Sequence, residues 1–240
     1  MKIHCRNLGL FGGTFNPVHI GHLRLAEDIR EEFNLDIVVF IPANIPPHKT
    51  IEKDPGTFHR LKMVECAIAG NEHFIFDDIE IKRGGISYTI DTINYIYENY
   101  HFEDKPFFII GSDLLDEIGT WKELELVMTK IQFIVLLREN RSARDLSLND
   151  FSFGKKSLFK NQGPGKITDF PGKRLSFPGK ITDFLDKILY FKKRKLDITS
   201  SGVRKSIKLG RSIRYLVTDE VLHYIIKNDL YKELRGRSVE

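Results

Sequence analysis

Gly12-Gly13-Thr14-Phe15-Asn16-Pro17-Val18-His19-Ile20-Gly21-His22-Leu23 is the stretch of this 240-residue chain whose residue types and spacing best suit chemistry. Two glycines after an apolar run let the backbone approach a phosphate closely. A helix starting just beyond them offers N–H groups without intrahelical partners and the positive end of its dipole. His19 and His22 stand three residues apart, so they share one face of the opening turn. There two imidazoles can donate hydrogen bonds to phosphate oxygens whose charge grows during a transfer reaction. Two polar histidines at a glycine-rich helix start have little role in a core, unlike a histidine met alone on an apolar face.

Such a stretch must be held by a strand before it and a helix after it. Residues 3–11 read as that strand. From Gly21 the pattern turns helical, with Leu23, Ala26, Ile29 and Phe33 at three- and four-residue spacing and Asn34 closing the helix. Residues 37–41 are a continuous, largely β-branched run, as expected of a strand buried on both faces. This order makes a βαβ unit. Residues 59–70 then read as helical, 74–81 as extended, 89–100 as helical, 106–110 as a strand, 121–129 as helical and 131–137 as a fifth strand. The alternation predicts an α/β fold, a Rossmann-like doubly wound parallel sheet. In such a sheet the ligand lies beyond the carboxyl ends of the strands, where loops 12–22, 42–49 and 111–113 converge. Near the C-terminus, Ser200 or Ser201 is expected to cap a short helix that Gly210 ends. Thr218 is expected to cap another reaching about Asn228.

Residues 140–195 break the pattern. Three heptads, 164–170, 171–177 and 178–184, each begin Pro-Gly-Lys and end in Phe. A Pro-Gly pair every seven residues forbids a continuous helix, so this segment reads as a flexible insertion within one domain spanning residues 1–240. Charge is unevenly spread. Residues 1–140 carry 14 Lys and Arg against 22 Asp and Glu, and the remaining hundred carry 23 against 11. A basic C-terminal part suits an anionic ligand, a polyphosphate or a nucleic acid, although solvated surface lysines give the same bias. The longest apolar runs are five residues, far short of a membrane span. Cys5 and Cys66 cannot make a disulfide framework. These features predict a cytoplasmic protein without a membrane partner.

Further motifs follow the histidine pair in order: Pro42-Ala-Asn-Ile-Pro-Pro-His-Lys49, Gly85-Ile-Ser-Tyr-Thr-Ile-Asp91, Ile110-Gly-Ser-Asp113 with Trp121, and Ile198-Thr-Ser-Ser-Gly-Val-Arg204. With His19-Ile20-Gly21-His22, the set resembles the nucleotidyltransferase superfamily and, within it, the bacterial nicotinate-nucleotide adenylyltransferases. The resemblance runs over residues 8–137 and 197–231. It implies a reaction of ATP with nicotinate mononucleotide that gives nicotinate adenine dinucleotide and pyrophosphate. It also implies that Gly12, Gly13, Thr14 and Phe15 line the nucleotide phosphates, with His19 and His22 on the polyphosphate. Gly111 and Asp113 would hold the adenosine, and Ser200, Ser201 and Arg204 would bind ATP phosphates. Asn44, His48 and Lys49 would face the acceptor. Tyr88 and Thr89 would offer backbone N–H groups to the nicotinate carboxylate, and Trp121 would stack on the pyridine ring. His19, His22 and Arg204 are the implied catalytic groups. Mg²⁺ is expected to be held by ATP phosphates and water, with no protein ligand.

Each of these residues also has a plain structural reading: Trp121 as a buried aromatic, Lys49 as a solvated loop residue, Arg204 as part of a basic helix. The chain departs from the family pattern at Asn16, where Asp is usual, and at Gly202, where a hydroxyl or larger residue is common. The alternatives are an adenylyltransferase of the same fold acting on nicotinamide mononucleotide or phosphopantetheine, and a nucleic-acid-binding module. The first measurement that separates them is pyrophosphate release with each acceptor; steeply salt-dependent nucleic-acid binding would favour the module.

Overall fold

The computed structural model describes residues 4–47, 51, 53–137, 188–192 and 196–232. In chain order its elements are β1 (His4–Cys5), β2 (Leu8–Gly13), α1 (Ile20–Glu32), β3 (Ile37–Pro42), α2 (Thr57–Ile68), β4 (Phe74–Phe76), α3 (Ile79–Arg83), α4 (Thr89–Asn99), β5 (His101–Phe102), β6 (Phe107–Gly111), a 3-10 helix (Ser112–Thr120), α5 (Leu124–Lys130), β7 (Gln132–Leu137), β8 (Leu189–Lys192), α6 (Ser200–Lys208) and α7 (Asp219–Lys227). Among the described residues, six strands form one parallel sheet in the order β4-β3-β2-β6-β7-β8, and β1 pairs with β5 in a separate two-stranded sheet. The chain winds outward from β2 through β3 to β4, then returns to the other side of β2 at β6. The switch point therefore lies between β2 and β6, where the crossover connections diverge.

Side chains alternate between the faces of the sheet. Leu8, Leu10, Val39, Ile41, Phe108, Ile110, Phe133 and Val135 point to one face. There they meet Ile90, Ile93 and Ile96 of α4 and Leu124 and Val127 of α5. Phe11, Val38, Phe40, Ile109, Ile134 and Leu136 point to the other. They pack on Ala26 and Ile29 of α1, Met63 and Val64 of α2, Val203 of α6, and Val221 and Ile225 of α7. Covering both faces explains why residues 37–41 read as one apolar run instead of an alternating one.

Several expectations are corrected. Residues 74–81 are extended only to Phe76: the Asp77 carboxylate accepts the Ile79 N–H at 2.8 Å, which starts α3, and Gly84 at φ 70° follows its end. The strand expected over residues 3–11 is, from His4 onward, two strands, because the Asp36 carboxylate takes the Arg6 and Asn7 N–H groups at 2.8 and 2.9 Å and interrupts the run. Helix 121–129 starts only at Leu124, with Glu123 in the left-handed region before it. The sheet has a sixth strand, β8, inside residues 140–195, paired with β7 from Ile134↔Leu189 to Leu137↔Lys192. The three heptads at 164–184 lie outside the described residues. Thr199 caps α6, its side chain accepting the Gly202 N–H at 3.0 Å, whereas Ser200 and Ser201 are the first helical residues. Thr218 caps α7 as expected. Among the described residues no helix is long and apolar enough to cross a membrane.

Phe40 sits wholly buried in β3 between Phe11, Phe15 and Phe74. Phe40→Ala should destabilise the fold by about 3–5 kcal/mol through lost burial and a residual cavity. A urea titration should show a lower midpoint at unchanged slope; an unchanged midpoint would contradict this packing.

Candidate active site

β2 ends beside β3 at Gly12↔Ile41 and Gly13↔Pro42, and the Ala43 N–H extends the ladder by donating to the Gly13 carbonyl at 2.9 Å. Beyond Gly13 the chain turns sharply. Phe15 takes φ 48° and folds its ring back over Gly13, where a Cβ would lie 2.9 Å from that ring. This close approach is what Gly13 permits. The Phe15 ring is buried, edge-on to Phe11 and to His22. Its side chain thus belongs to the core, and only its backbone, with Gly12, Gly13 and Thr14, lines the loop. The Asn16–Pro17 peptide is cis.

His19 is the N-cap of α1, extended at φ −146° and buried. Its N–H donates to Nδ1 of His22 at 3.2 Å, and its carbonyl accepts the His22 N–H at 2.8 Å. The two rings stack with centroids 3.6 Å apart. Because Nδ1 of His22 accepts, the neutral ring carries its hydrogen on Nε2. Gly21 makes the stack possible: a Cβ there would lie 3.0 Å from Nδ1 of His19. The histidine pair and the glycine between them therefore form one structural unit.

The C-terminal helices close this loop from outside. Ser200 donates its hydroxyl to the Pro17 carbonyl at 2.9 Å, and Arg204 donates Nη1 to the Asn16 carbonyl at 2.7 Å. The Ile20 N–H donates to the Leu216 carbonyl at 2.9 Å. Tyr231 donates its hydroxyl to Oδ1 of Asn16 at 2.8 Å, and burial raises the Tyr231 pKa, keeping that proton in place. The Ser200 hydroxyl hydrogen is thus committed to the protein, while the Arg204 guanidinium has further donors to offer. Ser201 is exposed on the first turn, its Oγ 3.2 Å from Oγ1 of Thr199.

On the other side, Asn44 ties two loops together. Its N–H donates to Oγ of Ser87 at 2.9 Å and its side-chain amide donates to the Gly85 carbonyl at 2.8 Å; the Ser87 N–H returns to the Ile45 carbonyl at 2.9 Å. Gly84 and Gly85, both at positive φ, give the tight path into α4. Glu80 lies buried beneath this turn, accepting from Oγ1 of Thr92 at 2.7 Å; burial pushes its carboxyl above the usual range, against hydrogen bonds from Thr92 and Ser87. Tyr88 is the N-cap of α4, but its N–H donates to the Ile86 carbonyl at 3.1 Å. The Thr89 N–H, first in the helix, has no intrahelical acceptor and is the better candidate for an anion. His48 and Lys49 lie outside the described residues.

Gly111 ends β6 at the switch point, and Asp113 follows on the 3-10 helix. Trp121 closes that helix and is half-buried, edge-on to Phe108 and Phe133 with ring centroids 6.1 and 5.9 Å away. Its indole N–H is buried without an acceptor. Trp121 thus packs as a partly buried aromatic against the apolar cluster on that face of the sheet.

Arg60 did not stand out in the sequence, yet its guanidinium reaches both loops. The signal was there: Arg60, Met63, Val64 and Ile68 share the buried face of α2, and an arginine on an apolar stripe must find partners. Asn16 and Tyr231 were equally hidden as a pair.

The chain matches the family pattern described as Cytidylyltransferase-like over residues 10–206. A protein of Citrifermentans bemidjiense named probable nicotinate-nucleotide adenylyltransferase is 40% identical over 228 residues, covering 95% of this chain and 99% of that relative. One so named from Geotalea uraniireducens is 36% identical over 237 residues, covering 95% and 99%. Among solved structures, Plasmodium falciparum nicotinic acid mononucleotide adenylyltransferase complexed with NaAD matches with a TM-score of 0.60 at 20% identity, over 94% of this chain and 97% of that one, a likeness of fold. With both histidines and both loops assembled at the switch point, and these relatives matched over nearly their whole length, the chain belongs to the cytidylyltransferase-like family and, within it, to the nicotinate-nucleotide adenylyltransferases.

Proposed function

We propose that this chain transfers the adenylyl group of ATP to nicotinate mononucleotide in the cytoplasm, giving nicotinate adenine dinucleotide and pyrophosphate for NAD biosynthesis. The observation that carries the reading is the His19 N–H to His22 Nδ1 bond at the start of α1, which puts the ring hydrogen of His22 on Nε2 as a donor beside the glycine loop.

The acceptor phosphate is an anion at neutral pH and attacks without a general base. Its oxygen forms a bond to the α-phosphorus of ATP while the bond from that phosphorus to the pyrophosphate oxygen breaks, and pyrophosphate leaves with the electron pair. What the protein supplies is position and charge stabilisation. Backbone groups of Gly12, Gly13, Thr14 and Phe15 line the phosphates. His22 donates Nε2–H to the oxygen on which charge builds, and His19 fixes the His22 ring through its N–H while sharing the polyphosphate. Arg204, anchored by the Asn16 carbonyl, turns its remaining N–H groups to the phosphates, alongside Ser200 and Ser201 at the start of α6. Gly111 and Asp113 hold the adenosine. Asn44, His48 and Lys49 hold the acceptor phosphate side. Tyr88 and Thr89 frame the helix start that receives the nicotinate carboxylate. Trp121 stacks on the pyridine ring.

No cluster of three or more His, Cys, Asp or Glu comes together among the described residues. Mg²⁺ would arrive with ATP and would screen phosphate charge, held by phosphate oxygens and water.

Two outcomes are expected. In a pyrophosphate-release assay with ATP and Mg²⁺, nicotinate mononucleotide should react far more efficiently than nicotinamide mononucleotide, since an amide would point its own N–H donors at the α4 N-terminus. Equal efficiency would refute that acceptor site. Replacing His22 with Ala should lower kcat by about two orders of magnitude or more, the scale of losing one transition-state donor; retention of half the turnover would remove His22 from the mechanism.

A further inference from the structure

Among the described residues, Arg60 is the largest side chain that is wholly buried, at 0% exposure. A guanidinium inside a core is tolerated only when its donors are taken up, and here they are. Nε donates to Oδ1 of Asp54 at 3.0 Å, which also supplies the opposite charge. Nη1 donates to the carbonyls of Thr14 at 3.0 Å and Ala43 at 2.6 Å, and Nη2 to the carbonyl of Asn44 at 3.1 Å. One planar group therefore grips the loop after β2 and the loop after β3.

In a trans peptide the C=O and the following N–H point in opposite directions. Holding a carbonyl on one side thus aims an N–H to the other. The Ala43–Asn44 peptide displays both halves of this: its carbonyl goes to Arg60 and its N–H to Oγ of Ser87 at 2.9 Å, across the acceptor loop. By the same geometry, the Thr14 carbonyl turned to Arg60 aims the Phe15 N–H away from α2, out of the glycine loop. The Asn44 carbonyl does likewise for the Ile45 N–H. The fork geometry matters, because an ammonium has three donors and no fixed plane, and cannot meet four acceptors on one fan.

We propose that Arg60 is a positioning residue that fixes the distance and the amide directions between the donor loop at Thr14 and the acceptor loop at Ala43–Asn44. It sets two bound phosphates in line without touching either. The proposal rests on the functional reading above, with Thr14 on the nucleotide side and Asn44 on the acceptor side.

The test compares the full-length wild type with Arg60→Lys, Asp54→Asn and Ser87→Ala. Circular dichroism and thermal melting are run beside steady-state kinetics for both substrates and calorimetric binding of ATP and of nicotinate mononucleotide. Arg60→Lys should remain folded, with raised KM for both substrates and kcat/KM lowered on the order of 100-fold, the scale of a misplacement of about 1 Å. Asp54→Asn keeps all three carbonyl bonds; it should lower the melting temperature while leaving the kinetic constants much closer to wild type. Ser87→Ala releases the same peptide from its far side and should raise KM for the acceptor more than for ATP. Two results would overturn the proposal: wild-type KM values in folded Arg60→Lys, or a loss of rate that tracks the folded fraction alone. Should Arg60→Lys fail to fold, an unchanged acceptor KM in Ser87→Ala would overturn it instead. Wild-type protein that binds neither substrate would refute the functional reading itself, and with it the positioning role.

Discussion

A parallel sheet covered by helices on both faces has no room for polar chemistry along its strands. Leu8, Leu10, Val38, Val39, Phe40, Ile134 and Val135 are fully buried, and each is apolar. Functional groups are thereby driven to the carboxyl ends, and the switch between β2 and β6 decides where along that edge a crevice opens. The glycine turn, the histidine pair and the tip of β6 all meet there because the winding reverses there. Backbone satisfaction then shapes the loops: every carbonyl leaving the ladder needs a donor, and Arg60, Arg204, Ser200 and Asn44 supply them from three different segments.

Two kinds of glycine serve this arrangement differently. Gly84 and Gly85 are needed for their positive φ, which carries the chain from α3 into α4. Gly13 and Gly21 are needed for space, one under the Phe15 ring and one under the His19 ring. The spacing of His19 and His22 also gains meaning. Three residues is the distance at which the N-cap N–H meets the side chain at the third helical position, so the motif is a capping arrangement in which histidine replaces the usual Glu or Gln.

What could be read from the sequence was local. The βαβ order, the histidine pair at a helix start and the Thr218 cap each depend on residues within a few positions of one another. What escaped depended on distance or on competition. Arg60 reaches Thr14 across 46 residues, and Tyr231 reaches Asn16 across 215. No periodicity encodes such pairs, though the arginine's place on an apolar stripe hinted at the first. The strand expected at residues 74–81 failed because the Asp77 side chain captured a backbone N–H and started a helix.

The Tyr231 hydroxyl on Asn16, together with the Leu216 carbonyl on the Ile20 N–H, joins the beginning of the chain to residues made some two hundred positions later. On the ribosome, strands β2 to β7 are complete well before α6 and α7 emerge. A nascent chain at that stage has its glycine turn and both histidines, but the Asn16 and Pro17 carbonyls still lack Arg204 and Ser200 as donors. Binding competence thus arrives late in synthesis, as a property of chain length, and a prematurely terminated product would lack both the support that finishes the loop and the helices that cover one face of its sheet.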